Sequence, residues 1–124
     1  MNKEMLEDVF VTALEGGSNY WYLITSETSK KIRSVVPKSV DPYFSTAILT
    51  AILEHDIEVE IHDAENPDEV LGILSTARME ERLRELNVNE SYRWALELHE
   101  KEEGDGDSAD VVFQFLVLGD VWFS

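Results

Sequence analysis

Apolar residues recur at spacings of three and four near the start of the chain. Met5, Leu6, Val9, Phe10, Ala13 and Leu14 share one face, which predicts an amphipathic helix over 3–15. Gly16-Gly17 follows as a stop that permits positive φ. Tyr20 to Ile24 is aromatic and apolar, and its pattern fits a strand or a buried helical turn equally. A short helical pattern over 27–36, through Ile32, Val35 and Val36, ends at Pro37. Asp41-Pro42 reads as the start of a helix to about Glu54, burying Phe44, Ile48, Leu49, Ile52 and Leu53.

The period then changes. Ile57-Glu58-Val59-Glu60-Ile61-His62 alternates strictly, the signature of a half-buried strand. Residues 63–68, with Asn66-Pro67, read as a loop, and 70–74 as the returning strand of a hairpin. An isolated hairpin is marginal, so helices must cover its apolar face. Ser75 or Thr76 caps a helix to about Leu86, with Met79, Leu83 and Leu86 inward. Asn89 caps another to about Glu103, burying Tyr92, Ala95, Leu96 and with them Trp94. Gly104-Asp105-Gly106 breaks it. Asp107 is read as the next N-cap, with Asp110 three residues on like the acidic half of a capping box. Residues 108–118 are nearly all apolar and read as a central helix, a buried strand being the alternative. The whole is an α+β fold: a mainly helical single domain, 1–124, with a small antiparallel β-hairpin.

Composition narrows the chemistry. At 44% hydrophobic, the chain can build a core. It has no cysteine, which excludes disulfides, thiolate nucleophiles and zinc–thiolate sites. The first residues lack the apolar stretch of a secretion signal, and the longest apolar run, 111–118, is far below the ~20 residues of a membrane span. A cytoplasmic protein with no membrane partner is the expectation.

Charge is the outlier. The formal net charge is -16, from 26 acidic and 10 basic residues, against a magnitude of about 2–8 for a typical small domain. A basic face for nucleic acid is not expected. The acids cluster. One block holds Glu54, Asp56, Glu58, Glu60, Asp63, Glu65, Asp68 and Glu69 without a Lys or Arg. A second holds Glu97, Glu100, Glu102, Glu103, Asp105, Asp107 and Asp110, with Lys101 its one base. Acids at the C-terminal end of a helix oppose its macrodipole by about 0.3–1 kcal/mol each, so helix stability does not account for the second block. It suits a basic protein surface, as a mimic of a phosphate backbone would; a solvated face is the plainer reading. The basic residues Lys30, Lys31, Arg33 and Lys38 lie together in an acid-free stretch, which would suit self-association or an anionic ligand.

Other chemistry finds little support. Asp105 to Asp110 resembles a calcium loop but fails its spacing. Glu58 and Glu60 share a strand face that should point to solvent, which does not suit a catalytic carboxylate pair. The histidines form no His-Glu-x-x-His motif, and His99 sits four residues before Glu103. No serine has a nucleophile-elbow context. Neither a catalytic set, a metal nor a cofactor is expected. The segment Gly16, Gly17, Asn19, Tyr20, Trp21 could instead bind a small ligand, with Trp21 and Tyr20 stacking a base and Lys30, Lys31 or Arg33 meeting phosphates; its plain reading is a helix cap followed by core aromatics.

The stretches Ala13-Leu14-Glu15-Gly16-Gly17-Ser18-Asn19-Tyr20-Trp21 and Asp107-Ser108-Ala109-Asp110-Val111-Val112-Phe113-Gln114-Phe115-Leu116-Val117-Leu118-Gly119-Asp120 resemble a family of small proteins of bacteriophages and mobile elements. Its members open with ALEGG…YW and close with AD…Q…GE/D. Asp63 to Gly72 is similar to that family's acidic turn before a "VLG" strand, and Tyr92 to Leu96 to one of its helices. The chain departs from it by ending Trp122-Phe123-Ser124, where relatives end in Gly. The resemblance implies a host-cell setting and carries no activity with it. Gly16, Gly17, Asn19, Tyr20, Trp21, Asp107, Asp110 and Gln114 bear its signature here. Gln114 is the odd one, a polar group in an apolar helix, which needs partners if buried. The expectation is a non-enzymatic accessory protein whose acidic residues engage a basic surface on a host protein, inhibition of a defence nuclease being one form. A small-ligand or nucleotide binder using Gly16–Trp21 and Gln114, and a structural homo-oligomer, are the alternatives.

Overall fold

A computed structural model describes residues 1–124. Helix α1, Lys3–Thr12, is capped by the Asn2 side chain, which accepts from the Met5 amide at 3.1 Å. It buries Met5, Leu6, Val9 and Phe10, the stripe its sequence spacing defines. The helical chain ends at the glycines, but not as a regular α-helix. It widens into a π-helical turn over Ala13–Gly17, closed by the Ser18 amide on the Ala13 carbonyl at 2.8 Å. Neither glycine takes a positive φ, so a left-handed cap is not their role.

Strand β1, Tyr22–Leu23, resolves the ambiguous aromatic segment as extended chain. Helix α2, Ser26–Val35, is capped by Thr25. Helix α3 begins at Phe44, later than Asp41-Pro42 suggests, and runs to His55. Asp41 acts from outside it, accepting from the Tyr43 amide and the Thr46 hydroxyl. Strands β2, Val59–Asp63, and β3, Val70–Leu74, pair antiparallel with an irregularity at Ile61/His62. Strand β1 adds to the far edge of β2, making three strands in the order β1-β2-β3. The alternation holds: Val59 and Ile61 are buried, while Glu58 and Glu60 are exposed.

Helix α4, Thr76–Asn87, starts at its Ser75 cap. Helix α5 is shorter than its pattern suggests, Arg93–Glu100, because Asn89 accepts the amides of Ser91 and Tyr92 in a turn before the helix begins. Helix α6, Gly106–Leu118, is the centre of the fold. Its N-cap is Asp105, two residues before Asp107, and the reciprocal partner is Ser108, which corrects the expected Asp107/Asp110 cap. Gly119 ends it in the left-handed region at φ 75, its amide bonded to the Phe115 carbonyl. With both ends closed locally, the β-branched residues inside it do not pull the segment into a strand.

Helix α6 packs against α1, α4, α5 and β3. Phe113 meets Phe10 edge-on, ring centroids 5.7 Å apart. A Cβ on Gly72 would strike the Val117 carbonyl, so β3 lies directly under α6. Val112, Phe113, Phe115 and Leu116 are nearly fully buried, each contributing roughly 1.5–3 kcal/mol by leaving water.

Candidate functional site

Asp110 and Gln114 lie one turn apart on α6, so both side chains leave the helix on one face. That face meets the turn between the π-helical segment and β1. The Asp110 carboxylate is 8% exposed. Its Oδ1 accepts from the Ser18 hydroxyl at 2.7 Å and from the Trp21 Nε1–H at 2.8 Å. Its Oδ2 accepts from the Tyr20 hydroxyl at 2.5 Å and from Gln114 Nε2 at 3.1 Å. The two terminal signatures are therefore one hydrogen-bonded cluster. All four donors are neutral, and no ion pair reaches Asp110.

Gln114 faces the other way as well. Its Oε1 accepts the amides of Trp122 and Phe123, each at 2.9 Å, and Nε2 donates to the Phe123 carbonyl at 3.0 Å. The fully buried amide thus finds its required partners in the last residues of the chain. Phe123 stacks on Trp21 at 5.3 Å and 8°. Trp21 is only 2% exposed; for a base to stack on it, Phe123 would have to leave. Gly17 is required by close approach, since a Cβ there would lie 2.6 Å from the Gly106 carbonyl oxygen. Gly16 has open space around it, and Asn19 is exposed. Tyr20 is half-exposed. Partial burial and the neighbouring Asp110 carboxylate raise its phenol pKa well above the usual value, with Asp107 adding to the rise.

A second cluster joins residues far apart in sequence. His99 is buried, its Nδ1 2.7 Å from Asp8 Oδ2 and its Nε2 2.9 Å from Ser108 Oγ. Asp8, His99 and Ser108 thus have the connectivity of a nucleophilic triad. Ser108, however, is fully buried, and its oxygen also accepts the Asp105 amide at 2.8 Å within the helix cap. A hydroxyl closed off from solvent and committed to a cap has no path to a substrate. The arrangement ties α1, α5 and α6 together. Because α5 ends at Glu100, His99 is held by these partners and not by Glu103.

The acidic blocks fare differently. In the first, Glu58, Glu60 and Asp68 border a cleft that also contains Lys31, whose Nζ lies 3.5 Å from the Glu58 carbonyl. Arg33 is spent on the carbonyls of Val36, Asp41 and Pro42 and lies over the Phe44 ring. The basic stretch therefore presents fewer free cations than its sequence suggests. In the second block, Asp110 is buried in the cluster above, and Glu97 pairs with Arg93 at 2.8 Å. Glu100, Glu102, Glu103, Asp105 and Asp107 are exposed. The Ser108 amide and hydroxyl hold the Asp105 carboxyl below its usual pKa, with His99 assisting.

Packing of α1 beside α5 adds two acids that the sequence blocks did not include. Glu4 and Asp8 line, with Glu100 and Glu102, a cleft of about 300 Å³ that has no Lys or Arg in its walls. Their spacing on the polar side of α1 was visible; which helix that side would meet was not. Glu102 moreover sits at φ 59, a region costing a residue with a Cβ roughly 1–2 kcal/mol. No helix is long and apolar enough to cross a membrane. The chain has no match among protein-family models, curated proteins or solved structures.

Proposed function

We propose that the protein is a non-enzymatic binding protein whose acidic face engages a basic surface of another protein. The observation that carries this reading is the convergence of Glu4 and Asp8 from α1 with Glu100 and Glu102 around a cleft free of Lys and Arg. Two local costs support it. Glu97 and Glu100 lie in the last turn of α5, where negative charge opposes the helix dipole, and Glu102 occupies a left-handed position that glycine or asparagine would take more readily. Acids kept at sites unfavourable to the fold point to an external use. In the mobile-element setting that the resemblance implies, the partner is a host protein, and a defence nuclease with a basic groove is one form.

The test is affinity capture from a host-type lysate with three baits. These are the wild-type chain, Glu100→Lys/Glu102→Lys/Glu103→Lys, and a control of equal charge change, Glu65→Lys/Asp68→Lys/Glu69→Lys. The expected outcome is a protein captured by wild type and control, lost with the first triple variant, and released by high salt. Lysine at the end of α5 favours the helix, so loss of capture is not loss of folding. Equal capture by all three baits refutes the reading.

A further inference from the structure

Beside the Asp110 cluster lies an open cavity of about 670 Å³, lined by Tyr20, Trp94, Val111 and Phe123 together with Asp107 and Asp110. Tyr20 and Trp94 are 48% and 44% exposed. The Trp94 side chain makes no hydrogen bond and pairs with no other ring. No Lys or Arg lines the cavity. Of its two lining carboxylates, Asp110 is more than nine-tenths buried, and its four partners, Ser18, Tyr20, Trp21 and Gln114, are all neutral. Buried charges are ordinarily paired with an opposite charge, and this one has no counter-ion within the chain. Asp107 is likewise free of any ion pair.

Exposed aromatic side chains lining one cavity with carboxylates that have no counter-ion define the chemistry of an organic cation. We infer that this cavity receives a guanidinium, that of an arginine side chain on the partner. Its plane stacks on the Trp94 indole, Asp107 accepts its N–H groups, and Asp110 supplies further negative charge. A guanidinium suits the walls better than an ammonium, because it is planar, weakly hydrated and able to stack while it donates in plane. This inference rests on the reading of the protein as a binder of basic surfaces and names the contact that orients such a partner.

The experiment uses the full chain and two short peptides, acetyl-Gly-Arg-Gly-amide and its neutral isostere with citrulline in place of arginine. The Trp94 indole N–H resonance is followed by NMR, and far-UV circular dichroism confirms that each variant is folded. The arginine peptide is expected to shift that resonance saturably and the citrulline peptide not to. Asp107→Asn weakens the interaction about threefold to tenfold, the range of a partly exposed charge and cation–π contact, and Trp94→Leu, followed through the Tyr20 ring protons, does the same. Equal shifts with both peptides, or unchanged affinity in Asp107→Asn, overturn the inference. Glu100→Lys/Glu102→Lys/Glu103→Lys leaves peptide binding within about twofold, since none of those residues lines the cavity. Failure here is thereby separate from failure of the acidic face to hold a protein.

Discussion

Replacing Asp110 with Asn removes one negative charge from a chain whose formal net charge is -16, and global electrostatics alone would make that favourable. The geometry predicts the opposite. The carboxylate accepts four hydrogen bonds, two at each oxygen. In Asp110→Asn, the remaining carbonyl oxygen can keep Ser18 and Trp21, now as neutral bonds of about half the strength. The new NH2 faces Tyr20, whose hydroxyl can rotate to accept, and Gln114 Nε2, which cannot. Gln114 Nε2 loses this acceptor and keeps the Phe123 carbonyl and the Tyr20 oxygen. With about 1.5–3 kcal/mol for a bond to a charged group, one lost and two halved give at most about 3–6 kcal/mol, and the acceptors that Gln114 keeps bring the expected cost to about 2–4 kcal/mol. Relief of repulsion is smaller: a second charge 10 Å away contributes only ~0.4 kcal/mol in water, before screening. The expected result is a urea midpoint well below wild type and a melting temperature lower by about 10 °C, at roughly 3–5 °C per kcal/mol for this size. Asp107→Asn, the same charge change on an exposed residue three positions away, stays within about 0.5 kcal/mol. If Asp110→Asn proves as stable as wild type, the carboxylate does not organise the cluster.

Three more predictions follow from named contacts. Gly104→Ala drives a methyl group into the His99 ring, which Asp8 and Ser108 hold at both nitrogens, so a loss of about 1–3 kcal/mol is expected by chemical denaturation. Burial and the Asp110 charge raise the Tyr20 phenol pKa; a raised folded-state pKa means the associated stability is intact below the unfolded value of about 10 and lost as pH rises beyond it. Absorbance at 295 nm should show late tyrosinate formation, to which Tyr22, raised by its burial, also contributes; Tyr20→Phe removes one tyrosine's share of it and Asp110→Asn moves that share to lower pH, and a profile unmoved by Asp110→Asn contradicts the assignment. Gln114→Met keeps the helix but removes the acceptor for the Trp122 and Phe123 amides, whose hydrogen exchange should accelerate at least tenfold while that of Val112 does not.

What could be read in the chain, and what could not, divides by the range of the interaction. Apolar spacing along α1, alternation in β2 and the Ser75 cap are local, and each element appears where its pattern lies. Errors fall where a side chain had a choice of local partner. Ser108 rather than Asp110 completes the α6 cap because Asp110 is drawn away by Ser18, Tyr20 and Trp21, and α5 ends early because Glu102 turns left-handed and the Glu103 amide closes back on the Leu98 carbonyl. The glycine pair looked like a stop, yet Gly17 serves a contact with Gly106 about ninety positions away, which no local rule encodes.

The amino-acid sequence by itself determined that this is a mainly helical α+β domain with a strongly negative surface, because helix period, strand alternation, caps and charge are properties of neighbours along the chain. Only the tertiary structure decided that Trp21 is core while Trp94 is free, that Glu4 and Asp8 join the second acidic block, and that the two terminal signatures meet at one buried carboxylate. Those outcomes depend on which faces of α1, α5 and α6 oppose one another, and that is set by how the apolar stripes pack together.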